Sequence, residues 1–301
     1  MLRKNQNFYI EKEQQPIIIG GVGGSGTRVV AKILKEIGVW MGGFLNKALD
    51  NLWFSIIFKR PYWYLKSSDR EKIKNVVLFE KLMIKKNNLT KTEKTKVLVL
   101  LIKKINTLPH EKMFSSKILW PIKRLVQNKN KQANKNENKY IKWGWKEPNT
   151  HIYLPYLKSY FKNIKYIHVI RNGLDMAFSS NKSQFKTWAK IYGLDMPKNE
   201  IEKRKAQLQY WINANKRVKN ICKRRLDEDE FVWINFEKLC KKPKEQILKL
   251  KKFTGVNKKV NIKKLSKIPK IPDSSGRFRN FNLDIFNDQQ IEEVRDLGYI
   301  I

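Results

Sequence analysis

Apolar positions recur at two periods along the chain, and the order in which those periods alternate predicts a layered α/β fold. Residues 16–20 (PIIIG) form a short β-branched run ending in glycine, the pattern of a strand buried on both faces. From Thr27 to Ile37, the residues Val29, Val30, Ile33, Leu34 and Ile37 fall at helical spacing, and Gly38 closes the pattern. Strand, glycine turn and helix open a βα unit. Beyond residue 140 the alternation resumes, with strands expected at 140–145, 165–170 (KYIHVI) and 231–234. Helices are expected at 152–161, 174–183, 201–225 and 243–253. The last has Pro243 in its first turn and Gly255 just past its end.

Residues 66–139 follow another pattern. They are rich in Lys and Asn, show helical periodicity at 76–84 and 97–105, and end in a polar tract at 127–138. No glycine-flanked strand signal interrupts them, which predicts a helical insertion outside the sheet. The expectation is a single domain over 1–301: three-layer α/β, a mostly parallel sheet, a P-loop-like phosphate-binding loop and that insertion.

Composition narrows the class. With 301 residues, 41% of them hydrophobic and 12% aromatic, the chain is long enough to bury a sizeable core. Its formal charge of +37 attracts anions at long range, but the lysines read as spread over nearly every segment, as solvated faces are. A nucleic-acid partner is therefore not expected. Cys222 and Cys240 cannot build a disulfide framework and no Cys/His cluster has metal-ligand spacing, so no metal is expected and a cytoplasmic setting fits. The first fifteen residues contain no apolar signal segment, and no uncharged run is long enough to span a bilayer. Residues 52–58, followed by Lys59, Arg60 and an aromatic stretch, leave two readings open: a core-facing or acceptor-lining helix, or a peripheral contact with a membrane.

The chemistry concentrates in two segments. GGVGGSGTR, residues 20–28, places five glycines between a strand and a helix. Such a turn lets backbone N–H groups converge on an anion that also faces the positive end of the helix. Gly23, Gly24, Ser25, Gly26, Thr27 and Arg28 are the candidate ligands. A nucleoside-triphosphatase loop needs lysine after its last glycine; Thr27 stands there, which argues against ATP or GTP hydrolysis. The second segment, RNGLDMAFS from Arg171 to Ser179, directly follows the KYIHVI strand, at the carboxyl end where open α/β sheets bind ligands. Asp175 is placed to cap or brace that turn.

Together these segments resemble the nucleotide-binding motifs of the sulfotransferases that use 3′-phosphoadenosine 5′-phosphosulfate. In that family a Ser-Gly-Thr loop holds the 5′-phosphosulfate, and an Arg…Asp…Ser segment holds the 3′-phosphate. Ser25-Gly26-Thr27 and Arg171…Asp175…Ser179 match in order and spacing, with Gly173 where the family usually has proline. Residues 235–239 with Phe253-Thr254-Gly255, and Gly276-Arg277-Phe278-Arg279, are similar to two later segments of the family. The resemblance implies Arg277 as a further nucleotide ligand, the phosphosulfate nucleotide as sulfonate donor, and no required metal. It also implies an acceptor hydroxyl or amine, with a carbohydrate or glycan favoured.

One departure matters. Many members carry a lysine just before Ser-Gly-Thr, and here that position is Gly24. Arg28 or Lys146, the latter in Trp145-Lys146-Glu147-Pro148, is expected to supply the charge. Asp50 ranks first as the base that takes the acceptor's proton and Glu147 second. His151 reads equally as an exposed helix-start residue, His168 as packed core and His110 as incidental. Trp211 and Asn215 read as a packing and capping pair, and Arg277 and Arg279 as pointing the same way if locally extended. The alternatives are an ATP-dependent phosphotransferase and a non-enzymatic, basic nucleic-acid- or membrane-binding α/β protein.

Overall fold

The computed structural model describes residues 15–84, 89–105 and 140–301; His110, the tract 127–138 and most of the N-terminal fifteen residues lie outside them. Five strands form one sheet: β1 (Ile17–Gly20), β2 (Val39–Trp40), β3 (Lys142–Lys146), β4 (Lys165–Ile170) and β5 (Phe231–Asn235). Their order is β2-β3-β1-β4-β5, and every pairing is parallel. The two-residue β2 has no sequence signal, being too short to display a period. The helices, in chain order, are α1 (Thr27–Ile37), α2 (Leu52–Phe58), α3 (Pro61–Lys66), α4 (Asp69–Ile84), α5 (Lys91–Ile105), α6 (Thr150–Phe161) and α7 (Gly173–Ala177). They continue with α8 (Ser183–Trp188), α9 (Glu200–Arg225), α10 (Phe236–Lys241), α11 (Pro243–Thr254), α12 (Ile262–Leu265) and α13 (Asp288–Asp296).

Strand periodicity divides the core into two layers. Ile17 and Ile19 of β1 face α1 and α11, joining Ile33, Leu34, Ile37, Ile247 and Leu250. Ile18 faces the opposite way, into a larger cluster built from α2, α4, α5, α6 and α9. There Phe54 lies 4.5 Å from Phe58 and Phe79 lies 4.9 Å from Trp145, centroid to centroid. Residues 52–58 are thus core-facing, with Trp53, Phe54, Ile56, Ile57 and Phe58 buried. Burial of each such side chain is worth about 1.5–3 kcal/mol. The helix after β1 covers one side of the sheet, whereas the helices after β3 and β4 cover the other. That divergence opens a crevice at the carboxyl end of β1.

Two local features depart from the sequence reading. A single helix over 174–183 does not form: α7 ends at Ala177 and α8 starts at Ser183. In between, Asn181 N–H donates to Ser179 Oγ (3.2 Å) and Ser183 N–H to Asn181 Oδ1 (3.2 Å), side-chain bonds that compete with helix. Meanwhile α6 carries Pro155 in its interior, which deprives the His151 carbonyl of its helical donor. Arg217 of α9 fills the gap, donating from Nη1 to His151 O and from Nη2 to Ile152 O, both at 3.1 Å.

Candidate active site

The loop from Gly20 to Arg28 sits at that crevice, tied down by Gly21 N–H donating to Pro148 O (3.1 Å). Gly26 has φ +92°, and a Cβ there would lie 2.1 Å from the Phe236 ring, so both conformation and space demand glycine. Ser25 and Thr27 are buried, and Ser25 Oγ has no partner. An unpaired buried hydroxyl at a helix N-terminus suits an anionic ligand atom. Arg28 lies exposed on the first turn of α1.

A cavity of about 60 Å³ opens beside the loop, and its walls include Gly23, Gly24, Arg171, Ser179, Trp211 and Arg277. Segments 150 to 250 residues apart in sequence therefore share one pocket. Arg171, half-buried, donates from Nη2 to Ser274 Oγ (2.9 Å) and reaches toward Gly24 O (3.5 Å), while its buried Nε has no partner. Burial pushes its pKa down, and the Asp175 and Glu237 carboxylates oppose that shift. Arg277 Nε donates to Ser274 O (3.1 Å). Asp175 braces a distant segment: its carboxylate accepts from Gly276 N–H (2.7 Å) and Phe278 N–H (3.2 Å), holding Arg277 over the pocket. The cap of α7 is instead Asn172, whose side chain accepts from Leu174 N–H and Asp175 N–H. Gly173 is explained by Trp211, since a Cβ would lie 2.5 Å from its ring.

Residues 277–280 form a 3₁₀ turn, so the locally extended geometry that would aim Arg277 and Arg279 alike does not occur. Arg279 instead stacks over Phe278, 4.8 Å from its centroid. Gln184, Asn181, Gln207 and Tyr210 also line the cavity, and no sequence signal marked them. Only the Cβ-free surface of Gly23, on which Gln184 packs, hints at one of them.

A second group surrounds the end of β3, outside the walls of that cavity. Lys146 is paired with Ile19 in register, which sets it one residue before the glycine loop on the neighbouring strand. It is buried, not a surface lysine; its ammonium donates to Ala48 O (3.1 Å) and pairs with Asp50. The other Asp50 oxygen accepts from Asn46 Nδ2 (2.8 Å), so both carboxylate oxygens are engaged. Asn51 N–H donates to Lys146 O (2.7 Å), which fixes the loop carrying Asp50 against β3.

Glu147 is buried beside this pair and accepts from Asn149 N–H (2.7 Å) and Asn149 Nδ2 (2.9 Å). Burial, reinforced by the Asp50 charge, pushes its carboxyl up to about 7. The helix-start His151 is fully buried, not exposed; neither ring nitrogen has a partner, and burial lowers its pKa. His168 is packed as expected, bonded to Tyr166 OH (2.9 Å) and Asn215 Oδ1 (2.8 Å). Asn215 also donates to Trp211 O (2.7 Å). Both cysteines are free thiols. Among the described residues no cluster of His, Cys, Asp and Glu has metal-binding geometry, and no helix is long and apolar enough to cross a membrane.

Known proteins bear on this arrangement. In structure the chain is similar to the sulfotransferase domain of the Synechococcus PCC 7002 olefin synthase, at 13% identity and a TM-score of 0.49, over 96% of this chain and 97% of that one. It is also similar to the sulfotransferase domain of the curacin biosynthetic pathway, at 15% identity and 0.46, over 96% and 99%. Sulfotransferase STF9 from Mycobacterium avium aligns at 11% identity and 0.47, over 96% and 78%. No curated protein matches in sequence. The sequence profile of the sulfotransferase family matches residues 16–259, a span holding the glycine loop, Lys146 and the Arg171–Ser179 segment. By that match over most of its length, the chain belongs to the sulfotransferase family and is a transferase enzyme.

Proposed function

We propose that the chain moves a sulfonate group from 3′-phosphoadenosine 5′-phosphosulfate to an acceptor hydroxyl or amine on a carbohydrate or glycan, in a cytoplasmic setting. The supporting observation is the pocket that brings Gly23 and Gly24 of the glycine loop together with Arg171, Ser179 and Arg277. Gly23, Gly24, Ser25, Gly26 and Thr27 suit one phosphate; Arg171, Ser179 and Arg277 suit a second on the same nucleotide. The proposal requires no metal. A mononucleotide or triphosphate would leave the second centre unused.

Transfer forms a bond between the acceptor oxygen or nitrogen and sulfur, breaks the sulfur bond to the bridging phosphate oxygen, and passes the acceptor proton to a base. Of the two carboxylates considered, Glu147 fits that role better than Asp50. Its pKa near 7 matches a base working at neutral pH and its hydrogen bonds come from neutral Asn149 donors, whereas Asp50 is ion-paired to Lys146. Lys146, oriented by Asp50, supplies positive charge at the reacting group, a role the exposed Arg28 is less well placed to fill. Donors preset toward the departing oxygen contribute about 3–4 kcal/mol each.

Thermal unfolding with 3′-phosphoadenosine 5′-phosphate, ATP and AMP tests this reading. At a hundredfold excess over Kd the bisphosphate stabilises by about 2.7 kcal/mol, and Arg171→Ala or Ser179→Ala reduces that gain. A shift no larger than that given by AMP would overturn the proposal. A larger shift with ATP and magnesium would favour phosphotransfer.

A further inference from the structure

The positive charge of this chain is not evenly spread. Between Lys238 and Lys270 there are thirteen lysines, no arginine and one acid, Glu245, so 33 residues carry +12 of the total +37. The 31 residues that follow hold three arginines and six acids, a net of −3. The lysine-rich segment forms α10, α11 and α12, which pack with α1 on one side of the sheet.

Within α11 the buried residues are Gln246, Ile247, Leu250 and Thr254, which turns Lys244, Leu248, Lys249 and Lys252 outward. Lys263, Lys264, Lys267 and Lys270 are exposed alongside, and so are Leu248 and Ile271, at 45% and 56%. Among the described residues no carboxylate pairs with Lys241, Lys244, Lys252, Lys263, Lys264 or Lys267. Across the sheet the lysines are mixed with acids: Lys158, Lys182, Lys203 and Lys216 each have a carboxylate partner, whereas Lys186, Lys190 and Lys223 pair with none among the described residues.

We infer that this lysine face docks the protein on an anionic lipid bilayer. Compact ammonium charges with only Glu245 among them suit a diffuse negative plane, and Leu248 and Ile271 supply apolar contacts at the interface. A nucleic acid calls for arginine forks or exposed aromatic platforms. This segment has no arginine, and its one aromatic, Phe253, is half-buried with the Lys165 ammonium 5.4 Å from its ring. Four residues past Lys270 the chain supplies Ser274, which accepts from Arg171 in the pocket, so docking face and pocket rim share one segment.

The test is cosedimentation, without nucleotide, with vesicles of phosphatidylcholine alone and of two parts phosphatidylcholine to one part phosphatidylserine. Binding is expected only to the anionic vesicles and is expected to weaken steeply as salt shortens the screening length. The variant carrying Lys244→Glu, Lys252→Glu, Lys263→Glu and Lys264→Glu should lose binding at least tenfold. Reversing Lys66, Lys74, Lys190 and Lys198, exposed elsewhere on the molecule, changes net charge equally and should cost much less. Equal losses in both variants, equal binding to neutral vesicles, or no vesicle binding alongside salt-sensitive DNA binding would each overturn the inference. Lysine-acetylation footprinting of the unmodified protein gives an independent reading should the first variant fail to fold. Protection by anionic vesicles must then concentrate in 238–270, and uniform protection refutes docking. Because nucleotide is absent, the outcome is separable from the proposed transfer reaction.

Discussion

Glu147 allows the most quantitative test of the site. Its carboxyl sits at about 7 in the folded chain against an ordinary 4.5, because burial and the Asp50 charge both disfavour ionisation. A carboxyl with a raised folded pKa binds its proton more tightly in the folded state, so folding loses stability as pH rises from 4.5 and the full loss is reached above 7. Over pH 5 to 8 the cost grows by about 2.5 kcal/mol. Glu147→Gln abolishes the ionisation, so its stability relative to the parent should improve by that amount between the two pH values. Any fixed loss from the Asn149 hydrogen bonds cancels in the difference. For a chain of 301 residues the relative Tm in differential scanning calorimetry should climb by roughly 4 °C. A Tm difference between variant and parent that does not change with pH would refute the argument from burial. The same group predicts an acidic limb near pH 7 in kcat/KM. Asp50→Asn should move that limb to lower pH by removing the neighbouring negative charge.

Two further substitutions probe the frame. Arg217→Met leaves the carbonyl of His151 without a donor; chemical denaturation should show a loss of about 1–3 kcal/mol, and a loss under 0.5 kcal/mol would show that α6 tolerates Pro155 unaided. Gly173→Ala drives a Cβ into the Trp211 ring and should cost about 1–3 kcal/mol, most of it recovered in a Trp211→Ala background. Additive losses in that double-mutant cycle would separate Gly173 from Trp211.

What the sequence revealed followed the range of its signals. Strong local periods located β1, α1, β4 and α9, because a buried strand or a long amphipathic helix repeats its pattern several times. The two-residue β2 repeats nothing, and the break between α7 and α8 depends on side-chain bonds from Ser179 and Asn181 that no period records. Site residues divide in the same way. Backbone-driven elements such as the glycine loop announce themselves, since only glycine fits where Gly26 meets Phe236. The partners of Asp175 and Lys146 did not, because each lies about a hundred residues away: Gly276 for the first, Asp50 for the second. Charge is a weaker guide for a related reason. Lysine is frequent throughout, and only the packing of α10, α11 and α12 on one side of the sheet gathers the densest lysine segment onto a single face.

The absent loop lysine shows how such long-range pairing alters the chemistry. Gly24 has room for a side chain, since a Cβ would meet nothing nearer than Met176 Cε at 3.7 Å, but its φ of +98° penalises any residue other than glycine. A cation is therefore held off the loop by backbone conformation, not by crowding. Lys146 stands one strand away, buried and paired with Asp50. A loop lysine would sit in solvent with its charge uncommitted. A buried lysine paired with a carboxylate delivers full positive charge to a ligand only as that carboxylate is neutralised or drawn aside. In the proposed reaction, the Lys146 charge is then influenced by the Glu147 carboxyl, which titrates near 7 in the same cluster. On the proposed roles, a buried ion pair standing in for the loop cation supplies a charge that depends on the protonation of the neighbouring Glu147 carboxyl rather than a constant one.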